Sequence, residues 1–182
     1  MKRPIVHVPE TILTSPAKTV VRFDKRLTRL VTDMKDTLLA TRNPKGVGLA
    51  APQIGQSVRL FVTRPKESDS IRVFINPHIV HLSHRQTQGV PERENKLEGC
   101  LSVPKIWGRV RRAVSLTLRY QDEQGNTKEK KFSGFVATII QHETDHVNGI
   151  LFTHRALEQK QKLYQAARDE KGKEVLEEIE LK

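Results

Sequence analysis

The sequence predicts a mixed α+β domain: antiparallel β-sheets packed around a buried central helix, with further helices towards the N- and C-termini. Three observations predict it. Leu27, Leu30, Val31, Met34, Leu38 and Leu39 recur at three- and four-residue spacing, the period of a helix with one apolar face. Short strand-like runs rich in Val, Ile, Leu and Phe follow, bounded by turn residues. A second helical segment is apolar in its first half, with Phe135, Val136, Ala137, Ile139 and Ile140, which predicts burial.

The elements follow in chain order. Residues 1–23 read as an extended arm punctuated by Pro4, Pro9 and Pro16. The first helix starts at Lys25 behind Asp24, a suitable N-cap, and ends at Asn43-Pro44 and Gly46. Strands are expected at "SVRLFVT" (57–63) and "IRVFINPHIVHL" (71–82), the second broken at Pro77, and residues 83–97 read as a long polar loop. "AVSLTLRYQ" and "KEKKFSG" flank Glu123-Gln124-Gly125-Asn126, a hairpin signal. The central helix starts near Ser133 and closes at Asn148-Gly149. A charged C-terminal helix follows, its thin apolar side made by Leu157, Leu163, Tyr164 and Ala167. The chain divides on this reading into a body, 1–154, and a helical extension, 155–182.

Composition narrows the class. A chain of 182 residues, 36% hydrophobic and 29% charged, is large enough for a core of its own. No apolar run approaches the roughly 20 residues that span a bilayer, and Pro4, His7, Pro9 and Glu10 interrupt any signal-like segment. A cytoplasmic location is the expectation, an organelle matrix the second choice. One cysteine excludes an internal disulfide, so Cys100 is either a small buried hydrophobe or a working thiolate. The formal net charge of +11 points to a polyanionic neighbour.

The chemistry gathers at "QHETDHVNG" (141–149). His142 and His146, four apart on a helix, can face one ion with Glu143 beside it. A catalytic centre of this kind normally has three protein ligands and one open position. A third histidine six residues beyond His146 would complete one class, but position 152 is Phe. Glu158 lies closer than the downstream glutamate of thermolysin-like proteases. Cys100, in "EGCLSVP", is the remaining candidate, and Gly99 lets the chain approach closely there.

"GVGLAAPQIG" (46–55), "EGCLSVP" (98–104) and "QHETDHVNG" together resemble the three signature motifs of the peptide deformylases, in order and at sensible separations. The resemblance covers essentially residues 1–155. Val147 stands where leucine is usual, and Trp107 where arginine or tyrosine is common. The resemblance implies that Cys100, His142 and His146 bind a metal, typically Fe(II), replaceable by Zn, Ni or Co. It implies removal of the formyl group from the initiator formyl-methionine of nascent polypeptides, with Glu143 shuttling the proton. The Gln53 side-chain amide and the Leu101 backbone N–H are then the oxyanion donors. Val47, Gly48, Phe135 and Ile139 would wall the methionine pocket, with Glu98 and Gly99 beside it, and Gly46 and Gly48 would let a peptide add as a strand. Two acids carry open alternatives. Asp145 is a solvated helix residue or the buried partner of Arg112, and Glu98 orients a ligand or is an exposed loop acid.

Two readings of the charge remain. In related bacterial enzymes a C-terminal helix is implicated in ribosome docking. Here residues 155–168 hold four bases against one acid, +3, while 169–182 hold three bases against six acids, −3. The runner-up functions are a metalloprotease with a glutamate ligand, and a nucleic-acid-binding module built on "KIWGRVRR" (105–112).

Overall fold

A computed structural model of the chain describes residues 1–42, 44–90, 96–168, 170 and 172–179. Helix α1 (Lys25–Ala40) begins where the Asp24 side chain accepts from the N–H groups of Arg26 and Leu27, as its sequence predicts. Its apolar stripe, including Val31, Met34 and Leu38, packs into one core cluster with Leu49, Leu60 and Ile75. The strands that follow are β1 (Gly48–Ala50), β2 (Leu60–Thr63), β3 (Arg72–Leu82), β4 (Glu98–Cys100), β5 (Val103–Gly108), β6 (Ser115–Gln121) and β7 (Thr127–Ser133).

One sheet runs β1-β2-β3-β6-β7, every pair antiparallel. The expected break at Pro77 does not occur. β3 runs through it, because Pro77 falls at a register shift between Ile75 and His78, where no ladder N–H is required. Beyond β3, the expected polar loop makes an isolated bridge from Gln86 to Ala113, and residues 91–95 of that loop lie outside the described residues.

Helix α2 (Gly134–Val147) follows β7 directly and is buried along most of its length. Its apolar first half packs Ala137 and Ile140 against Phe61, Phe74, Leu116 and Leu118 of the first sheet. Gly149, with φ +74, ends it as expected; a side chain there would strike the backbone of Thr14 and Ser15.

The C-terminal reading needs correction. Helix α3 spans only Phe152–Glu158, and the chain then forms an antiparallel hairpin, β8 (Leu163–Arg168) and β9 (Glu174–Glu178). β8 pairs with β5, giving a second sheet of order β4-β5-β8-β9. The cause is tertiary. Leu163 is buried against Gly108, where a larger residue would collide with it, and joins Phe152, Ala156 and Val110 in a third core cluster. A free β5 edge draws this segment into strand, and its thin apolar side had no helix surface to cover.

The arm before α1 is extended for much of its length, with a 3-10 turn at Thr11–Leu13, and it ties the two sheets together. Val6 N–H donates to the Gln53 carbonyl and Val8 N–H to the Ser102 carbonyl. Both acceptors lie within the motifs that carry the chemistry.

Candidate metal centre and substrate cleft

The cleft lies between two sheet edges. β1 ends one sheet and β4 ends the other, and the two strands face a common pocket whose floor is α2. Every residue singled out for the site in the sequence lines this pocket except His146, which is fully buried behind it.

Cys100, His142 and His146 converge. One ligand atom from each lies within 4.8 Å of the others, and Cys100 Sγ is 3.1 Å from His146 Nε2. The helical i, i+4 spacing brings the two imidazoles together, with ring centroids 4.9 Å apart. Cys100 reaches them because a bulge in the β4–β5 pairing shifts the register between Gly99 and Cys100. Burial, then the nearby positive groups His142 and Arg112, holds His146 well below the ordinary histidine range, so it is neutral, the form that ligates. Burial pulls His142 the same way, but its contacts to Cys100 and Glu98 outweigh that and raise it. His142 Nδ1 rests 3.2 Å from the Glu98 carboxylate, which fixes the ring and leaves its other nitrogen to the cluster. A thiolate and two imidazoles at this separation, shielded from solvent and backed by a carboxylate, fit a divalent transition metal.

Glu98 is buried, so the alternative of an exposed loop acid fails. Arg112 grips it with two hydrogen bonds of 2.8 Å, and a third from Arg112 reaches Asp145 at 2.7 Å. Burial alone would raise the Glu98 pKa, yet the Arg112 charge and hydrogen bonds hold it far below the usual carboxylate range. Asp145 is the buried partner of Arg112, and Arg155 of α3 also donates to it, at 2.8 Å. Both acids left open by the sequence thus belong to one network behind Cys100, His142 and His146.

Glu143 has a different environment. It is buried, its Oε2 has no hydrogen-bond partner among the described residues, and burial pushes its pKa up to about 7. It packs against Gly48, where even a methyl group would collide with its carboxylate. Gly99 has a matching role: the Trp107 ring lies over it and leaves no space for a side chain.

The Gln53 amide is oriented by its own backbone neighbourhood. Its Oε1 accepts from the Ala50 N–H at 2.8 Å, which turns Nε2 towards Cys100 Sγ (3.5 Å) and Ser102 Oγ (3.3 Å). Ser102 was not singled out in the sequence. It is fully buried, and its N–H also points at the Cys100 sulfur, 3.4 Å away. A polar residue between Leu101 and Val103 was the available signal.

The chain is similar to known proteins both in sequence and in fold. The family model for polypeptide deformylase matches residues 2–162. The chain is 40% identical over 152 residues to a peptide deformylase of Pseudothermotoga lettingae, covering 84% of this chain and 81% of that one. Among solved structures, the peptide deformylase of Thermotoga maritima superposes with a TM-score of 0.76 at 32% identity, over 85% of this chain and 97% of that one. A Met-Ala-Ser-bound class I type b peptide deformylase of Acinetobacter baumannii superposes with a TM-score of 0.75 at 36% identity, over 85% and 98% of the two chains.

Proposed function

Because the chain belongs to the polypeptide deformylase family, we propose that Cys100, His142 and His146 hold one divalent metal and that Glu143, Gln53 and Leu101 work beside it on a formyl amide. The reaction is hydrolysis of the N-formyl group from the initiator methionine of newly synthesised polypeptides, with release of formate. The observation that carries the reading is the convergence of three donor atoms within 4.8 Å at a pocket that also holds a buried carboxylate, Glu143, whose Oε2 has no hydrogen-bond partner among the described residues.

A divalent ion at these ligands supplies a Lewis acid and brings a water towards neutral pKa. The chain supplies the remainder. Glu143, poised near 7 by burial, takes a proton from the attacking water on Oε2 and hands it to the departing amine. The charge that develops on the formyl oxygen needs fixed donors, and Gln53 Nε2 and the Leu101 N–H are assigned to it. Val47, Gly48, Phe135 and Ile139 form an apolar wall for the methionine side chain, with Glu98 and Gly99 closing the pocket on the other edge. An extended peptide can pair with the free edges of β1 and β4. The A. baumannii relative with Met-Ala-Ser bound supports this use of the cleft.

The metal we assign is Fe(II), with Zn, Ni or Co able to substitute at a thiolate–imidazole site. Anaerobic purification, metal quantification and formate release from a formyl-methionyl peptide test the assignment, with an acetyl-methionyl peptide as the unreactive control. Activity that decays in air with oxidation of Cys100, and survives in a zinc or nickel form, identifies iron. A metal-free protein that releases formate at full rate would remove the centre from the mechanism. We place the reaction in a bacterial-type cytoplasm, near the ribosome where formylated chains emerge. No helix among the described residues is long and apolar enough to cross a membrane.

A further inference from the structure

A second concavity, of about 460 Å³, opens directly off the metal cleft. The two share Pro44, Gly99, Cys100, Leu101 and Trp107, so a chain leaving the methionine pocket past the β4 edge enters it. Its walls come from the N-terminal arm, the end of α1 and β5.

The groove is cationic on every wall. Lys2 projects from the arm, Arg42 from the turn after α1, and Lys105 from β5, and all three are exposed. No carboxylate lines it among the described residues. Arg3 also borders it, but is tied to Asp33 by a contact of 2.7 Å.

Some bases on other faces have acidic partners within reach: Lys35 with Glu123, Arg119 with Glu129, Lys128 with Asp122 and Lys162 with Glu178. Among the described residues no acid forms an ion pair with Lys2, Arg42 or Lys105, although these bases gather in one concavity where like charges repel. Lys105 also adopts left-handed backbone, φ +63, unusual for a residue with a side chain. A concave wall of one sign focuses its field on whatever enters.

We propose that this groove receives the part of the substrate that follows the formyl-methionine and selects acidic side chains there. The inference rests on the deformylase reading, since that reading puts the first residue in the adjoining pocket. It makes the enzyme a selective one, fastest on nascent chains whose early residues include Asp or Glu.

The test uses three peptides of the form formyl-Met-Ala-Xaa-Xaa-Ala, with Xaa as Asp, Asn or Lys. All are amidated at the C-terminus so that no terminal carboxylate substitutes for a side chain. With the metal-loaded full-length enzyme at low ionic strength, kcat/KM should fall in the order Asp, Asn, Lys, with about tenfold or more between the ends. The difference should lie mainly in KM and should shrink in 1 M salt, where the screening length is about 3 Å. The double variant Arg42→Glu, Lys105→Glu should reverse the order. Should it fold poorly, Arg42→Gln, Lys105→Gln should flatten it. Equal kcat/KM for the three peptides overturns the groove assignment while formate release stands. An order that survives charge reversal or neutralisation also overturns it, by locating the selection elsewhere on the basic body. No formate from any peptide removes the deformylase reading, and this inference with it.

Discussion

Gly48 and Glu143 compete for the same space, and that competition ties a glycine in one motif to the proposed proton shuttle in another. In Gly48→Ala the side chain with freedom to give way is the Glu143 carboxylate, so the loss should appear in turnover and not in folding. We expect kcat to fall by about 10²-fold or more, within the range for a displaced general base, with nearly unchanged Tm. Glu143→Gln should reproduce the fall with full metal content by elemental analysis. A metal-free Glu143→Gln protein would make the glutamate a ligand and revive the protease alternative. Cys100→Ser should lose metal and activity together, because a neutral hydroxyl replaces a thiolate poorly. Arg112 gives a pH-dependent case. It holds Glu98 below its ordinary pKa, so Glu98 contributes stability that is fully present above about 4.5 and is lost as the pH falls through the depressed value. Arg112→Leu leaves Glu98 and Asp145 buried without their shared cation and should destabilise by about 3–5 kcal/mol near neutral pH. Only the His142 contact then opposes burial at Glu98, so its pKa rises and the deficit should narrow as the pH is lowered and the carboxylate is neutralised. Denaturant titrations of both proteins at several pH values measure this directly.

At the scale of elements, what could be read from the sequence was what depends on near neighbours. The i, i+4 histidines, the Asp24 cap, the hairpin at Gly125 and the Gly149 stop each act within a few residues, and each appears where expected. The proposed cysteine ligand, 42 residues before the first histidine, needed the motif as well as its spacing. The C-terminal hairpin was hidden because β8 is decided by a partner, β5, some 55 residues earlier. Local propensity in "KLYQAAR" does favour helix, and an unpaired sheet edge overrides it. Glu98 was ambiguous for a related reason, since only the fold brings Arg112 across to it. A detachable helix could be cut after His154 without consequence, whereas the observed tail supplies Arg155 to the Asp145 network, buried Ala156 and Leu163 to the third core cluster, and a partner strand to β5. Truncation after His154 should therefore lower Tm markedly, weaken metal retention and expose the β5 edge to aggregation, read by thermal unfolding and light scattering.

At the scale of the whole molecule the question is where the +11 acts. Docking through a basic C-terminal helix loses its structural basis, since residues 163–168 are strand and Lys162 is tied to Glu178 of β9 at 2.7 Å. Strand β9, from the acidic stretch, pairs with β8 of the basic one, an outcome that −3 against +3 made available. The excess therefore stays on the body, where Lys18, Arg22, Lys25, Arg26 and Arg29 crowd the start of α1 and Lys130 and Lys131 lie exposed on β7. Charges spread in this way attract a polyanion at long range without forming a fitted interface. We expect the protein to associate with ribosomes weakly, with log affinity falling linearly against log salt in proportion to the phosphates contacted. Lys160→Ala, Lys162→Ala should change that slope little, because one charge is already neutralised by Glu178, whereas Lys130→Glu, Lys131→Glu should weaken binding and flatten it. Sedimentation with ribosomes across a salt series distinguishes the two surfaces. If the tail variant lost binding and the β7 variant kept it, the hairpin would be the docking element despite its internal ion pair.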